Sequence, residues 1–279
     1  MNWVLQIFDP ATISTFFTQF QAEMQQPAFW VALGKIMWIN ILLSGDNALV
    51  IAMACRGLPP RQRFWGMILG AGVAVGLRII FTGIVVSLMA LPFLKLVGGL
   101  ALLYIAAKLL VPEDEGEGDV HAAAHLWAAV RIVAIADIVM SLDNVIAVAA
   151  AANGSIPLLV IGLAISVPLI VAGAALIMAL LTRMPALVWA GAGLLGWVAG
   201  EVMATDPAVV PHLRALSDGP VGVQLDKLFG WTGLHFANGG HGAEVVCGLI
   251  GIAIVLVVGS MWRKSAQQKH AAEHAAKAA

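Results

Sequence analysis

The chain has 279 residues, 61% of them hydrophobic and 11% charged, with a formal net charge of −1 and a mean hydropathy of +0.93. A soluble domain is roughly 45–50% apolar and about 25% charged, so a large soluble core is excluded and a membrane protein is implied. The near-zero charge leaves no basic stripe for nucleic acid, and two cysteines, Cys55 and Cys247, are too few for a disulfide framework or a cysteine zinc site.

Residues 1–27 read as an N-terminal extracytoplasmic segment, whose opening MNWVLQIFDPATIS lacks the basic n-region of a cleavable signal. Seven apolar runs follow, over about 28–56, 64–90, 92–111, 126–152, 156–182, 185–205 and 242–262. Each is long enough to span a bilayer as a helix. Runs this long and without alternation predict helices, not barrel strands, so the expected fold is an all-α polytopic membrane protein of about seven transmembrane helices. Residues 112–125 form an acidic cytoplasmic linker, and 207–241 an extracytoplasmic loop apolar enough to lie on the interface. The segment 242–262 is the seventh helix, and 263–279 a basic, Ala-rich cytoplasmic tail whose composition allows a frayed helix. Arg56, Arg61, Arg63, Arg183, Arg263, Lys264, Lys269 and Lys277 fall on one side, against Lys95, Arg214 and Lys227 on the other. The positive-inside rule then puts the N-terminus outside and the C-terminus in the cytoplasm.

Inside the first and fourth runs the same polar block recurs. In NILLSGDNALVIA and DIVMSLDNVIAVA, Asn40 aligns with Asp137, Ser44 with Ser141, Asp46 with Asp143 and Asn47 with Asn144. Pro92 answers Pro185, and Lys108 answers Glu201, at a slightly smaller offset. The segment 28–111 is thus a three-helix repeat that returns as 126–206. Three spans is an odd number, so the second copy enters the membrane inverted, and the seventh helix stands outside the repeat. Secondary transporters commonly have this architecture, with the site near the midplane where the copies meet.

An ionised Asp at the centre of a helix in lipid costs about 2.5–3.5 kcal/mol on insertion scales. Helix–helix polar contact, a proton-transfer pair and a cation site are the readings that compete for this cost. Asn40, Ser44 and Asn47 stand at i, i+4 and i+7 on one stripe, with Asp46 on its flank; the second copy repeats this. The candidate ligands are Asp46, Asn47, Asp143, Asn144, Asn40, Asp137, Ser44 and Ser141. All are hard oxygen donors, a set that suits Mn²⁺, Mg²⁺ or Ca²⁺ better than Zn²⁺ or Cu⁺. Arg78, mid-span, is read either as a structural partner of a carboxylate or as a gate. Lys108, Lys35 and Arg131 are read as snorkelling, and Glu201 as a weaker candidate proton carrier. The loop and tail histidines, such as His121 and His270, have no compact ligand motif, and Trp30, Trp65 and Trp127 fit an interfacial belt.

These motifs, with VGGLALLYIAAKLL, resemble the TerC family of integral membrane proteins in its compact YjbE-like branch, over roughly residues 28–206. The resemblance implies a bacterial inner-membrane protein that exports Mn²⁺. It implies metal-site positions at Asp46 and Asp143, with Asn47 and Asn144 beside them and Asn40 and Asp137 upstream. Where relatives carry an acidic residue at both upstream places, this chain has Asn40 at the first. The expected function is therefore secondary export of a divalent cation, Mn²⁺ first and Mg²⁺ or Ca²⁺ behind it, with no permanently bound cofactor and no enzymatic activity. The expected partners are the bilayer, the ion, protons as coupling ion and further copies of the chain. No P-loop is present, so the energy would come from a gradient. An intramembrane aspartyl protease also needs two membrane Asp residues, but the paired Asn residues have no role in it. A non-transporting assembly or metallation factor for exported proteins is the alternative.

Overall fold

The computed structural model describes residues 18–43, 45–82, 91–111, 119–152, 155–217, 219–229 and 242–278. The elements among them are all helices: α1 (Pro27–Leu43), α2 (Gly45–Ala54), α3 (Pro60–Thr82), α4 (Leu94–Lys108), α5 (Asp119–Ala151), α6 (Ile156–Arg183), α7 (Ala186–Ala204), α8 (Val210–Ser217), α9 (Pro220–Phe229) and α10 (Gly242–Ala278).

Among the described residues, four helical stretches are long and apolar enough to cross a membrane: Pro60–Phe81, Pro157–Arg183, Ala186–Ala204 and Gly242–Lys269. The expected first span is covered by α1 and α2, whose apolar parts are shorter. The expected third span is met by the 15 residues of α4, fewer than the roughly 20 that a bilayer core needs. One boundary differs from the sequence reading. α5 begins at Asp119, inside the expected linker 112–125, because no Gly or Pro interrupts the Ala-rich stretch from 119 to 151. The expected tail 263–279 continues α10 as helix to Ala278, the helical form that its Ala-rich sequence allows. Within the expected loop 207–241, α8 and α9 are short helices, and 230–241 lie outside the described residues.

The packing is reciprocal. α1 and α2 lie on α6, while α5 lies on α3; α3 also meets α6, and α4 meets α7. α6 thus packs on α1, α2 and α3, and α3 on both α5 and α6. The core between them is aliphatic, with Ile36, Ile51, Leu102, Leu163, Leu195 and Val255 fully buried from six helices. α10 joins through one stripe, Gly248, Gly251, Val255 and Gly259, and leaves Leu249, Ile250 and Val257 exposed. An apolar outer surface of this kind is matched by lipid and would be a liability in water.

Two contacts fix the elements that frame the site. α7 and α10 approach backbone to backbone: a Cβ at Gly196 would lie 2.7 Å from the Gly251 carbonyl oxygen, and one at Gly200 would collide with the Cys247 carbonyl. Small residues four apart are the usual means of such an approach between membrane helices. Asp206, just beyond α7, accepts hydrogen bonds from the backbone N–H groups of Phe93 (3.0 Å), Leu96 (3.0 Å) and Ala208 (2.8 Å). α4 has no side-chain cap of its own, and its N-cap residue Phe93 is held at φ 66°. Asp206 therefore supplies from another segment the acceptor that the first amides of α4 lack. Lys95 Nζ donates to Thr205 Oγ1 (3.3 Å) beside it.

Candidate cation site

A polar cluster is buried between α2, α3 and α5. On α5, Asp137 and Ser141 stand one helical turn apart on one face, with 3% and 0% of their surface exposed. α3 packs on that face and delivers Arg78, which is 2% exposed. Arg78 Nη2 donates to Asp137 Oδ1 (2.9 Å) and to Ser141 Oγ (3.0 Å), and Nε donates to the same hydroxyl oxygen (3.2 Å). The planar fork of a guanidinium suits two acceptors set one turn apart. Asp137 Oδ2 is buried and has no hydrogen-bond partner.

α2 contributes the other half. Asp46 lies in the first turn of α2, half-buried, and its Oδ1 accepts from the Asn47 backbone N–H (2.7 Å). Asn47 itself is buried. Asp46 lies within Coulombic reach of both Arg78 and Asp137. The first-turn position also favours a carboxylate, because the amides there carry the positive end of the helix dipole.

Of the eight expected ligands, Asp46, Asn47, Asp137 and Ser141 are thus brought to one region where α2, α3 and α5 meet. The side chains of Asn40, Asp143 and Asn144, and residue Ser44 as a whole, lie outside the described residues. Asp137 and Ser141 are engaged by Arg78, which is the carboxylate pairing of the sequence's first reading of Arg78. Among the described residues, no three His, Cys, Asp or Glu side chains gather closely enough to hold one metal ion. Lys35, Lys108 and Arg131 are exposed.

Beside the cluster opens a cavity of about 350 Å³, lined by Asp46, Met140, Glu201, Thr205 and Glu244 among others. A second, of about 280 Å³, shares Thr205 and Glu244 with it and extends past Arg214 of α8. Carboxylates from α2, α7 and α10 therefore face one cavity, which attracts cations and repels anions. Glu201 is half-buried here, whereas its repeat counterpart Lys108 is exposed. The sequence reading missed Glu244. It sits in the first turn of α10, outside the repeated unit, where alignment of the two copies gave it no counterpart. Its one signal was a carboxylate at the start of an otherwise apolar run.

Comparison with known proteins gives one family. The profile described as "Integral membrane protein TerC family" matches residues 25–267. The chain is 45% identical over 178 residues to the "Uncharacterized membrane protein YjbE" of Bacillus subtilis, covering 64% of this chain and 81% of that protein. It is 31% identical over 148 residues to the "Uncharacterized membrane protein YceF" of the same organism, covering 50% of this chain and 57% of that protein. The "UPF0053 inner membrane protein YoaE" of Escherichia coli K12 is 27% identical over 162 residues, 51% of this chain and 31% of that protein. No solved structure matches the chain.

Proposed function

The chain belongs to the TerC family of integral membrane proteins, and from that premise we propose that it is a secondary transporter exporting a divalent cation, Mn²⁺ first, across the bacterial inner membrane. The observation that carries this reading is the acidic cavity ending at Asp46, beside a buried cluster that also contains Asn47, Asp137, Ser141 and Arg78. A polar cluster has a high cost in an apolar bundle, and an open approach lined by Glu201 and Glu244 is not needed for helix–helix adhesion alone.

In this reading the cation is held between the two repeated motifs, with Asp46 and Asp143 as its principal carboxylates. The amide and hydroxyl oxygens of Asn40, Asn47, Asn144 and Ser44 complete the shell. The reciprocal packing of α1 and α2 on α6, and of α5 on α3, supports two inverted halves that rock against each other around the ion. Mn²⁺ binds oxygen donors well, and protons returning through the same carboxylates would supply the energy. The N-terminus is outside and the C-terminus cytoplasmic.

The test is cellular manganese under Mn²⁺ stress, measured in a host without its own exporter. The host carries wild type, Asp46→Asn or Asp143→Asn at equal membrane levels. The expected result is less manganese with wild type alone. Equal manganese in all strains, with failed maturation of an exported metalloenzyme, would replace this reading by that of a metallation factor.

A further inference from the structure

We propose that Met140 is a specificity-determining residue, whose thioether sulfur joins Asp46 on the cation and selects a transition-metal dication over Mg²⁺ and Ca²⁺. This rests on the transport reading above.

Met140 stands on α5, three residues after Asp137 and one before Ser141. Those two neighbours are taken up by Arg78 of α3. Met140 instead lines the cavity whose wall also holds Asp46 of α2 and Glu201 of α7. It is otherwise enclosed, with 5% of its surface exposed. The residue aligned with it in the other copy of the motif is Leu43. The copies therefore differ here in a sulfur atom and hardly in bulk. Filling an aliphatic core does not call for the sulfur, because Leu and Met exchange readily in that role.

The remaining polar groups on the cavity wall are oxygens. Asp46, Glu201 and Glu244 supply carboxylates, and Thr205 a hydroxyl. The Thr205 hydroxyl already accepts from Lys95 Nζ and donates to the Val202 carbonyl. Oxygen donors suit Mg²⁺, Ca²⁺ and Mn²⁺ alike. Charge does not separate these ions either, since all three are dications. A thioether does separate them. It is uncharged and polarizable, and it binds softer ions better than the alkaline earths, which keep to oxygen. The Met side chain has three rotatable bonds, so its sulfur can follow an ion held at Asp46.

The test is ion binding by the purified full-length protein in detergent. Mn²⁺ binding is followed by the loss of the electron paramagnetic resonance signal of the free aqua ion. Cd²⁺ and Ca²⁺ are then used to displace it. These two ions share a charge and are close in size but differ in softness, so the ratio of their displacing concentrations reads the sulfur. Wild type is expected to release Mn²⁺ to far less Cd²⁺ than Ca²⁺. Met140→Leu is expected to leave Ca²⁺ binding near the wild-type value. It should lower the Cd²⁺ preference by about tenfold or more, the scale on which groups around a metal move its affinity. Met140→Gln puts a hard oxygen at similar reach and should move the ratio further the same way. Met178→Leu, on α6, serves as the control: Met178 is also 5% exposed but does not line this cavity, and the ratio should stay at the wild-type value.

An unchanged Cd²⁺ preference in Met140→Leu would overturn the proposal and leave Met140 as core filling. So would an equal weakening of Cd²⁺ and Ca²⁺, the mark of lost packing and not of a lost sulfur. If Met140→Leu does not purify folded, Met140→Gln decides the matter by the same ratio. Failure of the wild type to bind any of the three ions would overturn the transport reading and this proposal with it. Binding by the wild type without a Cd²⁺ preference, or with one that Met140 does not control, overturns this proposal only.

Discussion

Arg78 on α3 and Asp137 on α5 meet at 2.9 Å with almost none of either side chain exposed, and Ser141, one turn further along α5, accepts two more bonds from the same guanidinium. The pair fastens the long helices of opposite halves at the level of the polar motifs. Breaking a buried pair by removing one partner costs about 3–5 kcal/mol, because the survivor is left charged and unpaired. Arg78→Lys keeps the charge but not the fork. A single ammonium is not preorganised to bridge Asp137 and both bonds at Ser141. The expected outcome is a chain that folds and still binds Mn²⁺ but melts earlier, by about 1–3 kcal/mol of lost hydrogen bonding. Thermal unfolding in detergent measures it, and an unaltered Tm would mean that charge alone holds α3 to α5.

Asp46 is the carboxylate of the repeated motifs that lines the cavity. Asp46→Asn preserves shape and removes the charge. We expect wild-type membrane levels, a Tm within a few degrees of wild type and Mn²⁺ flux reduced to background in proteoliposomes. Flux near the wild-type rate would remove Asp46 from the site.

Glu201 and Glu244 line the approach rather than the buried cluster. Charges at a cavity mouth raise the local cation concentration and are screened by salt, with a Debye length of about 10 Å at 0.1 M. Glu201→Gln and Glu244→Gln should therefore slow initial Mn²⁺ uptake several-fold at low ionic strength. The deficit should shrink at high ionic strength. A deficit independent of salt would instead make either residue a direct ligand or a proton carrier.

The apolar runs and the repeated motifs were legible because both are written in consecutive residues. Spanning runs at four places and the membrane class follow from the length and apolarity of those runs. What could not be read was partnership across the bundle. Arg78 had two equal readings because its acceptors lie about sixty positions away on another helix, and nothing local specifies them. Glu244 carried no motif and became visible only when α10 was seen against α7. The start of α5 was misjudged for a different reason. Its polar, Ala-rich beginning was read as linker, yet Ala is the strongest helix former and no Gly or Pro interrupts 119–151.

Gly200 lies where α7 and α10 touch through their backbones, one residue before Glu201. A side chain there pushes α10 away and carries Glu244 from the cavity wall. Gly200→Leu should lower the Tm and reduce flux together, since a backbone carbonyl cannot give way as a flexible side chain would. Gly193→Ala, on the same helix with only ordinary contact to Ile252, should leave both unchanged. Loss of flux in Gly193→Ala would show that α7 tolerates no change, and that the close approach is not the cause.

Asp206 gives a pH prediction with a definite sign. Burial pushes its carboxyl up, but backbone N–H groups of Leu96, Ala208, Phe93 and Lys95 outweigh that and hold it below the usual carboxylate value of 3.8. A carboxyl whose folded pKa is depressed contributes stability that is fully present above the unfolded value. That contribution is lost as pH falls through the folded one. The wild-type Tm should therefore be flat from neutral pH to about pH 5 and then fall as the medium becomes more acid. Asp206→Asn keeps one acceptor oxygen but not the charge that favours the first turn of α4. Its Tm should be lower at neutral pH and less steep below pH 5, so that the two curves converge in acid. Parallel curves over that range would mean that the N-terminus of α4 is not held by the ionised form of Asp206.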